Sequence, residues 1–177
     1  MAYSLEQFCD ETRRMLQQKP GPDGRDDVRA NLTNLLTDEA FLAAYCGPDA
    51  QPGITTVHRC SETGFNVLVH VYASGKSGPP HDHGDSWAIY GQAVGHTDMA
   101  IWKRIDNGAA SGKAELEKDR EFRLDPGMAG TFEPRDIHSI EISDNSRFVR
   151  VTGTDLNTIE TLVFNAKEGS VAAGSRL

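Results

Sequence analysis

From residue 54 onward the hydrophobic period of the chain changes. The runs TTVHRC, FNVLVHVYA, SWAIYGQAV, HTDMAIWKRI, AELEKDREFRL, GMAGTFEP, HSIEIS, RFVRVTG and IETLVFN are short, and several alternate apolar with polar residues. Gly, Pro, Asn or Asp separates most of them. Many short strands at near-regular spacing predict an all-β sandwich or barrel. DNG at 106–108 and SDNS at 143–146 read as hairpin-type turns. Pro126-Gly127 stand where a type II turn wants them.

The first 50 residues read differently. Ser4 with Gln7 forms a capping box, and Leu5, Phe8, Cys9, Thr12, Met15 and Leu16 then recur at helical spacing. KPGPDG, at 19–24, stops this helix. A second helix runs through DDVRANLTNLL with Val28, Leu32, Leu35 and Leu36 on one stripe, and Thr37 or Asp38 caps a short third, EAFLAAY. The expected organisation is a helical segment over 1–50 packed on a β-barrel over 51–166, with a small polar tail at 167–177 that frays.

The net charge of -8 disfavours nucleic acid and anionic membrane, because phosphate binding is largely a Lys/Arg counterion effect. No apolar run reaches the roughly 18 residues of a membrane span. The N-terminal stretch lacks a basic region followed by an apolar one, so it does not read as a secretory signal. The three cysteines, Cys9, Cys46 and Cys60, form no CxxC and no even set, which speaks against a disulfide framework or zinc knuckle and for a reducing, cytoplasmic setting.

Six histidines are present, and two of them stand one residue apart in PPHDHGDSW. On a strand, alternate side chains share a face, so His81 and His83 aim two imidazoles into one space while Asp82 points away. Two imidazoles cannot complete a coordination shell. A third ligand must come from a distant strand, and His138, after a Pro-containing turn in PRDIHSIEI, is the best candidate; His58, His70 and His96 are the alternatives. Trp87 and Trp102 read as core.

These motifs resemble those of the cupin superfamily, whose first motif has the form G(X)5HXH and whose second carries a glycine, a proline and then a histidine. Here the first is GKSGPPHDHGDSWAIYG, with five residues between Gly75 and His81, and the second is GMAGTFEPRDIH. Within the superfamily, HDHGDS at 81–86 is similar to the first motif of cysteine dioxygenase-like thiol dioxygenases, and GFNVLVHVYASG is similar to the strand before it. The resemblance implies a double-stranded β-helix, or jelly-roll barrel, preceded by helices. It implies three histidine ligands, His81, His83 and His138, around Fe(II); imidazole equally suits Zn, Ni or Cu, and Mn is a further alternative. It further implies a small thiol with a carboxylate as substrate, O2 as co-substrate and a sulfinate as product.

The chain also departs from that family. The usual cupin glutamate is absent, its positions being Trp87 and Ala88, and thiol dioxygenases also lack that carboxylate. Ala88 also stands where animal-type members carry a cysteine crosslinked to a tyrosine, and RFVRVTGTD contains no tyrosine. For the substrate carboxylate the resemblance implies Arg59, just before the GFNVLVHVY strand, ahead of Arg150 on a late strand. Asp82 and Asp85 are expected to orient the imidazoles. A different cupin chemistry, on a diketone or sugar-like substrate, or a catalytically inactive metal-binding cupin, is the competing expectation.

Overall fold

The computed structural model describes residues 3–174. Three helices come first: α1 (Leu5–Gln18), α2 (Pro22–Leu35) and α3 (Glu39–Cys46). Ser4 Oγ accepts from the Gln7 amide at 3.2 Å and Asp38 Oδ1 from the Phe41 amide at 2.6 Å, so α1 and α3 start on side-chain caps. The expected break at KPGPDG is shorter than the residue types suggest. Pro22 opens α2 as its first helical residue, where its missing N–H would have had no partner in any case.

Eleven strands follow: β1 (Gly53–Arg59), β2 (Asn66–Val71), β3 (Lys76–His81), β4 (Ala88–Val94), β5 (Thr97–Arg104), β6 (Leu116–Leu124), β7 (Ala129–Phe132), β8 (Ile137–Ile142), β9 (Arg147–Thr152), β10 (Leu162–Asn165) and β11 (Ser170–Ala173). One sheet has the order β1-β2-β9-β4-β7 and the other β11-β10-β3-β8-β5-β6. Without the outer strands β1, β10 and β11, these become β2-β9-β4-β7 and β3-β8-β5-β6. That is the strand order of two Greek keys rolled into a jelly roll. The barrel is therefore the double-stranded β-helix that the motifs implied.

The alternation of side chains explains how helices and barrel share one sheet. Val67, Val69, Val71, Ile89, Val149 and Val151 point out of the barrel and form one cluster with Phe8, Val28, Leu32 and Leu35 of the helices. The residues between them point in: Ala88, Tyr90 and Phe148 meet Met99, Phe132 and Ile142 of the other strands. Gly91 lets α2 lie close, since a Cβ there would come within 2.7 Å of Leu32 Cδ2. Arg25 of α2 makes a two-pronged ion pair with Glu133, just after β7. No helix among the described residues is long and apolar enough to cross a membrane.

Two local expectations give way to non-local pairing. Residues 170–173 do not fray but form β11 against β10, and Lys113 bridges to Ser170; residues 175–177 lie outside the described part. DNG at 106–108 does not close a tight hairpin, because β5 ends at Arg104 and β6 begins at Leu116; instead Asp106 accepts from the Gly108 and Glu115 amides and pairs with Arg104. The other turns are as expected. Gly127 has φ +86° with Met128 N–H donating to Asp125 O, and Asn145 takes φ +51°.

Candidate metal and substrate site

GKSGPPH forms β3, and its two prolines shape the site. Lys76, Ser77 and Gly78 pair with Ile142, Glu141 and Ile140, but His81 pairs with His138. Three steps along β3 thus match two along β8, so β3 carries one extra residue as a bulge. In a regular strand Lys76 and His81 would face opposite sides; the extra residue puts both inside. Pro79 and Pro80 suit this place, since a bulged residue is not asked to donate to the ladder.

His81 and His138 are then direct cross-strand partners, and their Nε2 atoms lie 3.1 Å apart. His83 follows the end of β3 rather than continuing it. Gly84, at φ +58°, turns the chain against the Glu160 carbonyl, which a Cβ would approach to 2.2 Å. The His83 ring sits 4.8 Å from that of His138 and 5.5 Å from that of His81. One nitrogen from each of the three can be chosen so that all lie within 4.8 Å of one another.

Protonation decides what this group can do. Nδ1 of His81 lies 3.0 Å from the Pro79 carbonyl, which can only accept, so Nδ1 carries the proton and Nε2 the lone pair. Burial pushes His83 and His138 well below the ordinary imidazole range, with neighbouring imidazoles and Arg150 acting in the same direction. His81 is lowered too, chiefly by burial. Three neutral imidazoles therefore share one pocket, with Nδ1 of His83 and Nδ1 of His138 buried and without partners. Either a proton on His138 Nε2 or a cation accounts for the 3.1 Å contact. The donor set suits a borderline divalent metal such as iron, zinc, nickel or copper.

The side chains around the group come from β2, β4 and β9. Tyr90 Oη is 3.2 Å from Nε2 of His83. Across the β4–β9 ladder Tyr90 pairs with Arg150, so the two side chains stand side by side on the inner face. Arg150 is 6% exposed, its Nε has no hydrogen-bond partner, and it has no ion pair among the described residues. It lines a cavity of about 470 Å³ together with His70, Tyr72, His81, Tyr90 and Phe148. That volume lies in the range of roughly 300–1,000 Å³ common for small-molecule sites.

Arg59 is placed otherwise. It ends the edge strand β1, its side chain is 63% exposed, and it pairs with Asp155 at 3.0 Å. It lines only a shallow cleft of about 70 Å³, on whose wall Arg150 and His83 also appear. Asp82 and Asp85 do not touch the imidazoles. Asp82 Oδ1 accepts from the Gly84 and Leu162 amides, tying the His83 loop to β10, while Asp85 pairs with Arg135. His58 stacks against Phe65 and His96 lies 4.0 Å from Asp98, so neither joins the group. Trp102 donates to Ser139 Oγ, and Trp87 packs against the outer core cluster.

No protein-family model and no curated protein matches the sequence. Similar solved structures include Peruvianin-I, a cysteine peptidase from Thevetia peruviana latex, with 16% identity over 58% of this chain and 61% of that one at a TM-score of 0.43. The cupin domain of Schizosaccharomyces pombe Cnp3 shares 12% identity over 63% of this chain and 68% of its own, with a TM-score of 0.45. KdgF from Halomonas sp. shares 19% over 63% and 90%, with a TM-score of 0.44. Cupin-superfamily proteins are among these neighbours. The likeness is partial, and it is the strand order above that makes the barrel a jelly roll.

Of two further cavity residues, Tyr90 gave no sign of itself in the sequence and His70 stood there only as an alternative third ligand. Tyr90 and His70 both sit in apolar strands, where they read as ordinary sheet positions. His70 is 2% exposed, stacks on Phe148 at 4.5 Å and has no partner on either ring nitrogen. Burial, then the nearby cations Arg150 and Lys76, hold it well below the ordinary imidazole range. The pattern that could have revealed them is parity: His70, Tyr90 and Arg150 fall on the inward alternation of strands whose outward residues are valine and isoleucine.

Proposed function

We propose that this chain is a metal-dependent cupin that oxidises a small thiol carrying a carboxylate, with His81, His83 and His138 holding Fe(II). The observation that carries the reading is Arg150. A buried guanidinium without an ion pair is costly to keep unless an anion arrives to pair with it. It stands directly across the β4–β9 ladder from Tyr90, which touches His83, so an anion on Arg150 would lie beside the histidine group.

Iron bound by the three imidazoles would supply a dipositive centre that acidifies a thiol and a redox route by which both atoms of O2 end on sulfur, converting RSH to RSO2H. The residues of the chain have separate tasks. Arg150 can take the carboxylate in a two-pronged contact that fixes orientation as well as affinity. The Tyr90 hydroxyl can donate a proton to, or accept one from, a group held beside His83. The neutral state of the imidazoles keeps their lone pairs available. Phe148, Ile140, Ile142 and Val163 give the cavity an apolar wall that limits water around the sulfur.

The test is metal analysis of protein purified without added metal, followed by oxygen uptake with cysteine, 3-mercaptopropionate and cysteamine. The expected result is iron at one per chain and consumption of one O2 per acidic thiol. The same apolar wall favours a second reading, a cupin with another metal acting on a diketone. Iron-loaded protein that consumes no O2 with any thiol would move the assignment there, or to a metal-binding cupin without activity.

A further inference from the structure

The cavity is larger than a cysteine-sized substrate requires, and its charges are all of one sign. Its lining holds Arg150 and Lys76 and contains no Asp or Glu, in a chain whose net charge is -8. Arg150 lies at the inner end, beside Tyr90 and the histidines. Lys76 is exposed, begins β3 and has no ion pair among the described residues. Its cross-strand partner Ile142 stands four residues from His138, the partner of His81, so Lys76 and His81 lie roughly 13 Å apart along the ladder at about 3.3 Å per residue. The β3 bulge is what brings Lys76 to the same inner face as His81. Were these same residues paired without a bulge, the Lys76 ammonium would point away from the cavity. Between the two cations the wall carries Ile140, Ile142 and Phe148, with His70 and Tyr72 beside them.

We infer that the cavity takes an extended dianion, with one carboxylate on Arg150 next to the histidine group, an apolar middle along Ile140 and Ile142, and a second anionic group at Lys76. This rests on the reading of Arg150 as the carboxylate site and enlarges the substrate class from a small monoacid to a thiol or related metal ligand with acidic groups at both ends. Two cations separated by an apolar stretch discriminate by length as well as by charge. A short diacid reaches only one of them, and a monoacid of the right length leaves Lys76 without its partner.

The probes are succinate, adipate and suberate, compared with hexanoate and octanoate, titrated calorimetrically into the metal-loaded protein. Adipate or suberate should bind more tightly than succinate and than the monoacid of equal length, by about fivefold, the worth of one exposed ion pair. The preference should shrink as salt is raised. Lys76→Met should abolish the preference for diacids while leaving monoacid affinity unchanged, and Lys76→Glu should make 6-aminohexanoate bind better than adipate. Because Lys76 is exposed, neither change threatens the fold. Equal binding of mono- and diacids, or Lys76 variants that keep the wild-type order, would overturn the inference. Oxygen uptake separates this from the proposed reaction: a diacid preference with no thiol oxidised sinks only the dioxygenase reading, whereas thiol oxidation without a diacid preference sinks only the dianion.

Discussion

His81 and His138 face each other across the β3–β8 ladder with their Nε2 atoms 3.1 Å apart, although 57 residues separate them in the chain. The bulge at Pro79-Pro80 sets this register. It follows that metal binding should be sensitive to β3 geometry and not to the three histidines alone.

Replacing His81, His83 or His138 with Ala should therefore strip most bound metal, an effect read by plasma emission on desalted protein with the fold checked by circular dichroism. Inserting one alanine between Pro80 and His81 should do nearly the same with every histidine still present, because a single added step turns the His81 side chain to the opposite face. Wild-type metal content in His138→Ala would show that the third ligand lies elsewhere.

Tyr90→Phe removes only the hydroxyl that meets His83 and leaves the ring packed against Phe132 and Phe148. Loss of a group that touches a ligand imidazole typically weakens metal binding by about 10–100-fold. The expected outcome is weaker metal retention in a chelator competition with an unchanged melting temperature. A variant that holds metal as tightly as wild type would leave the tyrosine a packing residue.

For carboxylate recognition the two arginines should now separate clearly. Arg150→Met should lower kcat/KM for cysteine and 3-mercaptopropionate by about thirtyfold, corresponding to about 2 kcal/mol for a charge-assisted contact, and should leave cysteamine nearly unaffected. Arg59→Ala should change little, since Arg59 is largely exposed and already paired with Asp155. If Arg59→Ala had the larger effect, the shallow cleft and not the main cavity would be where substrate binds.

No thioether cofactor should exist. Ala88 points into the barrel at the position where the resemblance places a cysteine, and all three cysteines are free: Cys9 and Cys46 lie buried in helices and Cys60 follows β1. Intact mass should equal the sequence mass, and denaturing gels should show one band. A two-hydrogen deficit that survives disulfide reduction would contradict this.

Which parts of the molecule could be read from sequence follows from how local their causes are. The helix stripe Val28, Leu32, Leu35 and Leu36 and the caps at Ser4 and Asp38 depend on neighbours three or four residues away, and they stand in the structure as expected. His81, His83 and His138 come together because HxH lies at a strand end and the second motif supplies its cross-strand partner. The bulge was hidden because two prolines look like a loop until β8 is seen to pair on both sides of them. β11 was hidden because its partner, β10, had to be in place before Ser170–Ala173 had anything to bond. Arg150 ranked below Arg59 because burial depends on the β2-β9-β4 order, which no local pattern reports.

The histidines also predict how stability responds to pH. His70, His81, His83 and His138 all have folded-state pKa values below the ordinary imidazole value of 6.5, mainly because burial penalises the charged form. The unfolded chain protonates these rings near that ordinary value, while the folded chain resists. Below it the unfolded state therefore binds more protons, so stability present above about pH 6.5 is lost progressively as pH falls. Metal-free protein should show urea midpoints that are level above neutrality and decline from about pH 6.5 downward. Metal should raise the midpoints at neutral pH and steepen that decline, since protons compete for the same lone pairs. His70 provides the internal control, because it lies outside the ligand group. His70→Phe should make the acid decline of the metal-free protein shallower by one proton's worth of slope while leaving the metal-dependent increment intact. If the midpoint instead fell equally in His70→Phe and wild type, His70 would protonate as readily in the folded cavity as in the unfolded chain, and its place between two cations would need another explanation.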